Sequence, residues 1–133
     1  MEMVMNKTLD EFTRMHNQLL AEWENAIKTG DASPLENMAQ HYSVAFFTTK
    51  KKNPYVFNRA EALEGLRKSV ILSSELQKKF ENRIIRMKSS TKAKVFYEQV
   101  IERRGQEINR IFTIESWEYD QGWLLTREVE DQL

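Results

Sequence analysis

The sequence predicts an α+β domain in which three N-terminal helices pack in the concavity of a strongly curved antiparallel sheet. Apolar residues recur at steps of three and four in the first half of the chain, and the period changes from about residue 79 onward. Short breaks separate the later segments, and connections of that length join antiparallel neighbours. Strands of ten or more residues usually bend or coil, so we expect this sheet to wrap around the helices.

The first helix is predicted over residues 8–30. Thr8 and Glu11 have capping-box spacing, and Gly30 supplies a left-handed stop. The residues that share its apolar face are Leu9, Phe12, His16, Leu19, Leu20, Trp23, Ala26 and Ile27.

A second helix is predicted to begin at Ser33-Pro34, where a capping serine precedes a proline at the first helical position. A third is predicted to begin at Asn58, which has capping-box spacing with Glu61, and to fade near Ser73. The expected inward residues of these two helices are Leu35, Met38, Ala39 and Tyr42, then Leu63, Leu66, Val70 and Ile71.

The strands are predicted from β-branched and aromatic content. Residues 44–49 and 55–57 form a short hairpin between the second and third helices. The long strands that follow cover residues 80–88, 93–103, 107–120 and 123–130. No repeat or linker divides the chain, so residues 1–133 are expected to be one domain.

The charge balance, the lack of cysteine and the lack of a long apolar segment exclude several classes of function. Twenty basic and twenty acidic residues balance, whereas a nucleic-acid-binding protein usually has a basic excess; the run Lys50–Lys52 precedes Asn53-Pro54 and is interpreted as a solvated turn. The chain has no cysteine, which permits a reducing compartment. No segment has the roughly 20 apolar residues of a membrane span. We therefore expect a cytoplasmic protein that binds neither nucleic acid nor membrane.

Three segments resemble the nuclear transport factor 2-like superfamily, whose members have a cystatin-like cone fold. Residues 22–31 look like its first helix running through Gly-Asp, residues 58–63 like its third-helix start, and residues 119–125 like its terminal hairpin. The superfamily includes ketosteroid isomerases, dehydratases, SnoaL-like polyketide cyclases and non-enzymatic association modules. The resemblance implies a pocket between sheet and helices and often a homodimer through the outer sheet face. The sequence has no glycine-rich phosphate loop, and no cofactor is expected.

Glu115 is the candidate catalytic residue, because it lies near the position where ketosteroid isomerases carry a pocket acid. A carboxyl group in an apolar pocket can donate a hydrogen bond or move a proton. The simpler interpretation places Glu115 on an exposed sheet face, paired with a lysine such as Lys94. Both alternations of this strand contain apolar residues, so the sequence leaves the two orientations open.

The candidate ligand-binding residues are His16, Trp23, Tyr42 and Trp117. By the resemblance, Trp23 stands where isomerases have a donating tyrosine, and the segment Tyr42–Ala45 lacks their general base. A steroid isomerase mechanism is therefore not expected. His16 and His41 lie 25 residues apart with no cysteine, which predicts no metal site.

These observations favour a pocket protein for a small apolar or amphipathic ligand. The alternatives are an isomerase, dehydratase or cyclase-type enzyme that uses Glu115, or an association module with a vestigial pocket. Apolar neighbours on both strand faces, such as Val95 beside Phe96 and Val100 beside Ile101, also predict a homodimer.

Overall fold

The structure is a computed structural model that describes residues 2–133, with the side chains of residues 8–133. Helix α1 (Glu2–Thr29) leads through a 3₁₀ turn (Ser33–Leu35) to strands β1 (Met38–Thr48) and β2 (Lys51–Asn58). Helix α2 (Arg59–Leu72) comes next. Four strands complete the chain: β3 (Leu76–Ser89), β4 (Lys92–Arg103), β5 (Gln106–Tyr119) and β6 (Trp123–Gln132).

The six strands form one curved sheet in the order β2-β1-β6-β5-β4-β3. The four long strands follow one another as an antiparallel meander, as their short connections predicted. Strand β1 pairs antiparallel with β2 and parallel with β6. This parallel pairing brings the first strand beside the last.

The described chain has two α-helices, so the prediction of three N-terminal helices is wrong. Only Ser33–Leu35 is helical in the second predicted segment, and residues 38–48 form β1. Pro34 starts that turn, but Ala32 at the cap position provides no side-chain hydrogen bond. Pairing with β6 gives Met38 and residues 43–47 partners in the sheet, so this segment is a strand. The third predicted helix is α2, and it follows the β1–β2 hairpin, as predicted.

The observed ends of the two helices agree with some of the predicted capping residues and disagree with others. Gly30 ends α1 with a φ of +77°, and Asn58 and Glu61 form the predicted capping box of α2. Thr8 lies inside α1, which already begins at Glu2, so the predicted start is wrong. Ile71 is exposed near the end of α2 and does not face inward as predicted.

Two groups of buried side chains hold the helices in place: the larger packs α1 on the concave sheet face, and the smaller packs α1, the 3₁₀ turn and α2 together. Phe12 of α1 packs on Tyr97 of β4 and Trp117 of β5 within the larger group. Ala26 of α1 and Val70 of α2 belong to the smaller one, at the other end of α1. Within the described residues, neither helix has the length and apolar character needed to cross a membrane.

Candidate functional site

A cavity of about 380 Å³ lies between the two helices and the concave face of the sheet. Trp23 of α1 and Gly65 of α2 line its helical side, and Tyr42 of β1 lines its sheet side. Much of the wall is apolar, and titratable side chains are concentrated on the β3, β5 and β6 part of it. Ligand pockets commonly combine a mostly apolar wall with a few polar groups in this way.

Glu115 lies in this wall and is only 3% exposed. Its Oε1 atom is 2.8 Å from His16 Nε2 and accepts the indole N–H of Trp117, also at 2.8 Å. Its Oε2 atom accepts the hydroxyl of Tyr97 at 2.5 Å. The two oxygens of Glu115 thus have three hydrogen-bond partners in place of water. These hydrogen bonds offset much of the free energy that it costs to bury the carboxyl group.

The contact of Arg83 with the other ring nitrogen of His16 decides which nitrogen carries the proton. Arg83 Nη1 lies 3.1 Å from His16 Nδ1, and its Nη2 donates to Asn17 Oδ1 at 2.6 Å. A guanidinium group can only donate, so Nδ1 accepts and the ring proton is on Nε2. His16 therefore donates to Glu115, and a chain of hydrogen bonds runs from half-buried Arg83 to the cavity wall.

The expected pairing of an exposed Glu115 with Lys94 is wrong. Residue 115 of β5 stands opposite Val95 of β4, and Lys94 stands opposite Ser116. Neighbouring residues of a strand point to opposite faces, so Lys94 is on the convex face while Glu115 is on the concave one. Trp117 shares the alternation of Glu115, as a pocket acid requires.

Glu128 and Glu130 of β6 also line the cavity, and the sequence analysis missed them. Burial raises the pKa of the Glu128 carboxyl well above its usual range, and the nearby charges of Glu130 and Glu115 raise it further. Burial likewise raises the pKa of Glu130. The alternation of charged and apolar residues at positions 128–130 was the available signal, although it does not tell which set faces inward.

Hydrogen bonds hold these two carboxyl groups in place. Tyr42 donates its hydroxyl to Glu128 Oε1 at 2.8 Å, and burial beside that carboxyl raises the pKa of Tyr42 above its normal range. Gln99 Nε2 reaches Glu130 Oε1 at 3.5 Å and Thr113 Oγ1 at 2.9 Å. The cavity therefore has an acidic side whose carboxyl groups come from β5 and β6.

Lys78 of β3 is the cationic side chain on the cavity wall. Its Nζ lies 3.6 Å from the ring centroid of Trp23. Burial lowers the pKa of Lys78 to about 8, against the opposing influence of Glu130 and Glu128. The contact with the indole face of Trp23 opposes the effect of burial, because such a contact favours the ammonium form by about 2 kcal/mol at a desolvated site. The shift from 10.5 to about 8 corresponds to roughly 3.4 kcal/mol, so burial remains the larger effect.

The candidate ligand-binding residues fall into two groups. Trp23 and Tyr42 line the cavity. His16 and Trp117 are fully buried behind Glu115, with ring centroids 6.1 Å apart, and reach the cavity only through that carboxyl. His41 is exposed on β1. Among the described residues, no group of three or more metal-ligating side chains is close enough to hold a metal ion.

Comparison with known proteins identifies the architecture. No protein-family model and no curated protein matches the sequence. Solved structures do match the whole of this arrangement of helices and sheet. An NTF2-like protein with a cystatin-like fold from Novosphingobium aromaticivorans superposes with a TM-score of 0.73 at 13% identity, over 98% of this chain and 88% of that one. The fold is nuclear transport factor 2-like.

Other proteins with the nuclear transport factor 2-like fold differ in role. A candidate dehydratase from Streptomyces avermitilis has a TM-score of 0.67 at 13% identity and covers 93% of this chain and 97% of its own. Yeast Bre5, a Ubp3-associated protein, has a TM-score of 0.64 at 10% identity and covers 90% and 94%. Identities this low show the nuclear transport factor 2-like fold alone, so function must be argued from the site.

Proposed function

We propose that this protein binds a small amphipathic molecule in the cavity between α1, α2 and the concave sheet face. The observation that carries the proposal is the unfilled space of about 380 Å³, since well-packed protein interiors have few voids larger than a water molecule. A cavity of this size falls within the range of small-ligand sites.

The wall suggests how such a ligand lies. Apolar groups such as Leu19, Val44 and Leu66 suit a hydrocarbon or aromatic body. Lys78, Glu128 and Glu130 provide donors and acceptors for a polar group at the other end. An apolar body with one polar end matches this division of the wall.

An uncharged fluorescent probe, N-phenyl-1-naphthylamine, tests the proposal without depending on the charged groups. We expect its fluorescence to rise on binding to the wild-type protein. Gly65 lines the cavity from α2, and a Cβ added there meets nothing within 4 Å. We expect Gly65→Phe to occupy the open space and weaken probe binding at least about tenfold, the equivalent of roughly 1.4 kcal/mol.

Gly65→Ala is the matched control, because it changes the same position and adds only one methyl group. It should bind the probe as the wild type does. It should also raise the stability of the protein by roughly 0.5–1 kcal/mol, since alanine is the better helix former. Equal probe binding by Gly65→Phe, or no binding by the wild type, would contradict the proposed site.

A second candidate function is an enzyme of the isomerase, dehydratase or cyclase type. The inward orientation of Glu115 favours it, because a proton-transfer group must reach the substrate. Tyr97, His16 and Trp117 hold that carboxyl in one orientation. In that case Glu115→Gln should remove turnover, and turnover that survives the substitution would exclude Glu115 as the pocket acid.

We also propose that two copies of the chain associate through the convex face of the sheet. An apolar row crosses all six strands there, each residue directly opposite the next. From β2 to β3 it consists of Val56, Ala45, Val129, Ile114, Phe96 and Ile84. The helices cover only the other face, and a contiguous apolar surface of this kind is typical of interfaces.

Charges on either side of this row favour one arrangement of the two copies. Arg127, Lys94 and Arg86 flank it on one side, in the row through Ser116. Asp131, Glu98 and Glu81 flank it on the other, in the row through Phe112, where Arg110 pairs with Glu98 at 3.4 Å and with Glu81 at 3.5 Å and offsets part of their charge. A two-fold axis parallel to the apolar row places the basic side of each copy over the acidic side of its partner, whereas an axis across the row opposes like charges.

A further inference from the structure

We propose that Lys78 captures the ligand of this cavity covalently, as an imine with an aldehyde or ketone. The inference rests on the proposed function, because it needs a cavity that admits a small molecule. It adds the chemical class of the ligand, a carbonyl compound, and the residue that bonds to it.

The first support is the position of the amine. Lys78 lies on β3 opposite Ile101, which also lines the cavity. It borders both the cavity and a second hollow formed by the end of α1 and the start of β3. The ring of Trp23 holds Nζ at this boundary. A ligand that enters the cavity therefore meets an amine in a defined place.

A comparison with Lys79, the next residue of β3, shows how the surroundings of Lys78 differ from those of an ordinary surface lysine. Lys79 points to the convex face, is 60% exposed at its side chain, and pairs with Glu102 at 3.0 Å. Lys78 is half-buried, and among the ion pairs of the described residues none includes it. Its nitrogen is thus not bound to a carboxylate that would keep it as an ammonium ion.

A large fraction of Lys78 is unprotonated at about pH 8, as an amine that attacks a carbonyl group must be. With a pKa lowered to about 8, roughly half of the Lys78 side chains are free amines at pH 8. A lysine with the ordinary value of 10.5 is a free amine in only about three molecules per thousand at that pH. The free amine is the nucleophile, so burial prepares Lys78 for attack on a carbonyl carbon.

The reaction balances with groups already in the cavity. The nitrogen lone pair of Lys78 bonds to the carbonyl carbon, and a carboxyl proton from Glu128 passes to the carbonyl oxygen. The carboxylate takes back a proton from nitrogen. The hydroxyl group then leaves as water with a carboxyl proton, and the carboxylate takes the last proton from the iminium nitrogen, which gives the imine and restores the carboxyl group. One amine and one carbonyl group give one imine and one water, and no oxidant or reductant is needed.

Reductive trapping tests the inference on the full-length chain. The protein is incubated with benzaldehyde at pH 8, the imine is reduced with cyanoborohydride, and peptide mass mapping locates the benzyl group. We expect modification of Lys78 about tenfold faster than that of Lys79, because more of its amine is unprotonated while a less basic amine is a weaker nucleophile. Mapping also separates Lys78 from the amino terminus.

Two variants complete the test. Lys78→Arg should lose the fast modification, and Lys79→Arg should keep it; circular dichroism checks that both are folded. Equal rates at Lys78 and Lys79, or a fast modification that persists in Lys78→Arg, would overturn the inference.

Benzyl alcohol separates this inference from the proposed function, because it has the shape of benzaldehyde without the carbonyl group. Its binding is followed by ligand-observed NMR, with Gly65→Phe as the blocked cavity. If benzyl alcohol binds but benzaldehyde does not label Lys78 selectively, only the imine is wrong. If benzyl alcohol does not bind, the cavity itself is not a ligand site and the imine inference also fails.

Discussion

At the scale of single residues, the buried carboxyl group of Glu115 carries a desolvation cost that its hydrogen bonds offset. Hydrogen bonds to a charged group contribute about 1.5–3 kcal/mol each, while an unpaired buried donor costs about 1–3 kcal/mol. Tyr97, Trp117 and His16 all point to this carboxyl group. The three donors therefore depend on Glu115 as much as it depends on them.

This dependence predicts different results for two substitutions of similar size. In Glu115→Gln the amide oxygen can still accept from His16 and Trp117, while its NH₂ group faces the Tyr97 hydroxyl oxygen. We expect a loss of about 1–2 kcal/mol. Glu115→Leu leaves three donors unpaired and should cost more than about 3 kcal/mol. Urea denaturation measures both, and equal losses would show that the hydrogen bonds contribute little.

At the scale of elements, the alternation of β6 decides the chemistry of the cavity. Glu128 and Glu130 face inward, and Val129 between them faces the convex side. One strand therefore supplies both the acidic wall of the cavity and part of the apolar outer row. Because the side-chain period of a strand is two, a slip of one residue would exchange these roles.

The raised pKa of Glu128 predicts how stability depends on pH. Folding disfavours the charged form of this carboxyl group, so its contribution to stability falls as the pH rises above the ordinary value of 4.5 toward the raised one. Glu128→Gln removes that titration and keeps an acceptor for Tyr42. We expect the variant to gain on the wild type as the pH rises, by about 1.4 kcal/mol for each unit by which the pKa is raised.

Denaturation at pH 4, 6 and 8 measures this difference. Glu64 is the control, since it is exposed on α2 and pairs only with Lys68. Glu64→Gln should differ from the wild type by less than about 0.5 kcal/mol at each pH. A constant difference between Glu128→Gln and the wild type across the range would mean that Glu128 titrates alike in the folded and unfolded chain.

At the scale of the whole molecule, the sheet has one covered face and one uncovered face. Ile84 and Val56, at the two ends of the outer row, are 58% and 64% exposed. The four middle residues of the row are half-buried. A second copy placed on this face would cover the row along its whole length.

Light scattering combined with size-exclusion chromatography tests this association. We expect a dimer for the wild type and a monomer for Ile114→Asp, because a charge in the middle of the row would be buried without a partner. Leu72→Asp is the control, since Leu72 is exposed at the end of α2, away from the row, and should leave the dimer intact. A monomeric wild type at micromolar concentration would contradict the proposal.

The favoured orientation has a test of its own. Lys94→Glu should weaken the dimer, because it places a negative charge over the partner's acidic side. Adding Glu98→Lys should restore part of the affinity by exchanging the two signs. If the double variant is weaker than Lys94→Glu, the axis does not run parallel to the apolar row.

The sequence by itself determined the elements whose signals are local. Gly30 ends α1, Asn58 with Glu61 begins α2, and the meander of four long strands follows from period-two patterns and short breaks. These features depend on residues within a few positions of one another. For that reason, propensity, capping and turn length are sufficient to predict them.

Only the tertiary structure decided which residues meet. Residues 38–43 belong to a strand instead of the predicted second helix because β6, more than 80 positions later, offers a parallel partner, and no local pattern contains that pairing. Glu115 turns inward because its register with Val95 is set across the sheet. Lys78 and Glu128 share a cavity because curvature brings β3 and β6 to the same space. Contacts between distant segments depend on register and curvature, which a single sequence specifies only through the complete fold.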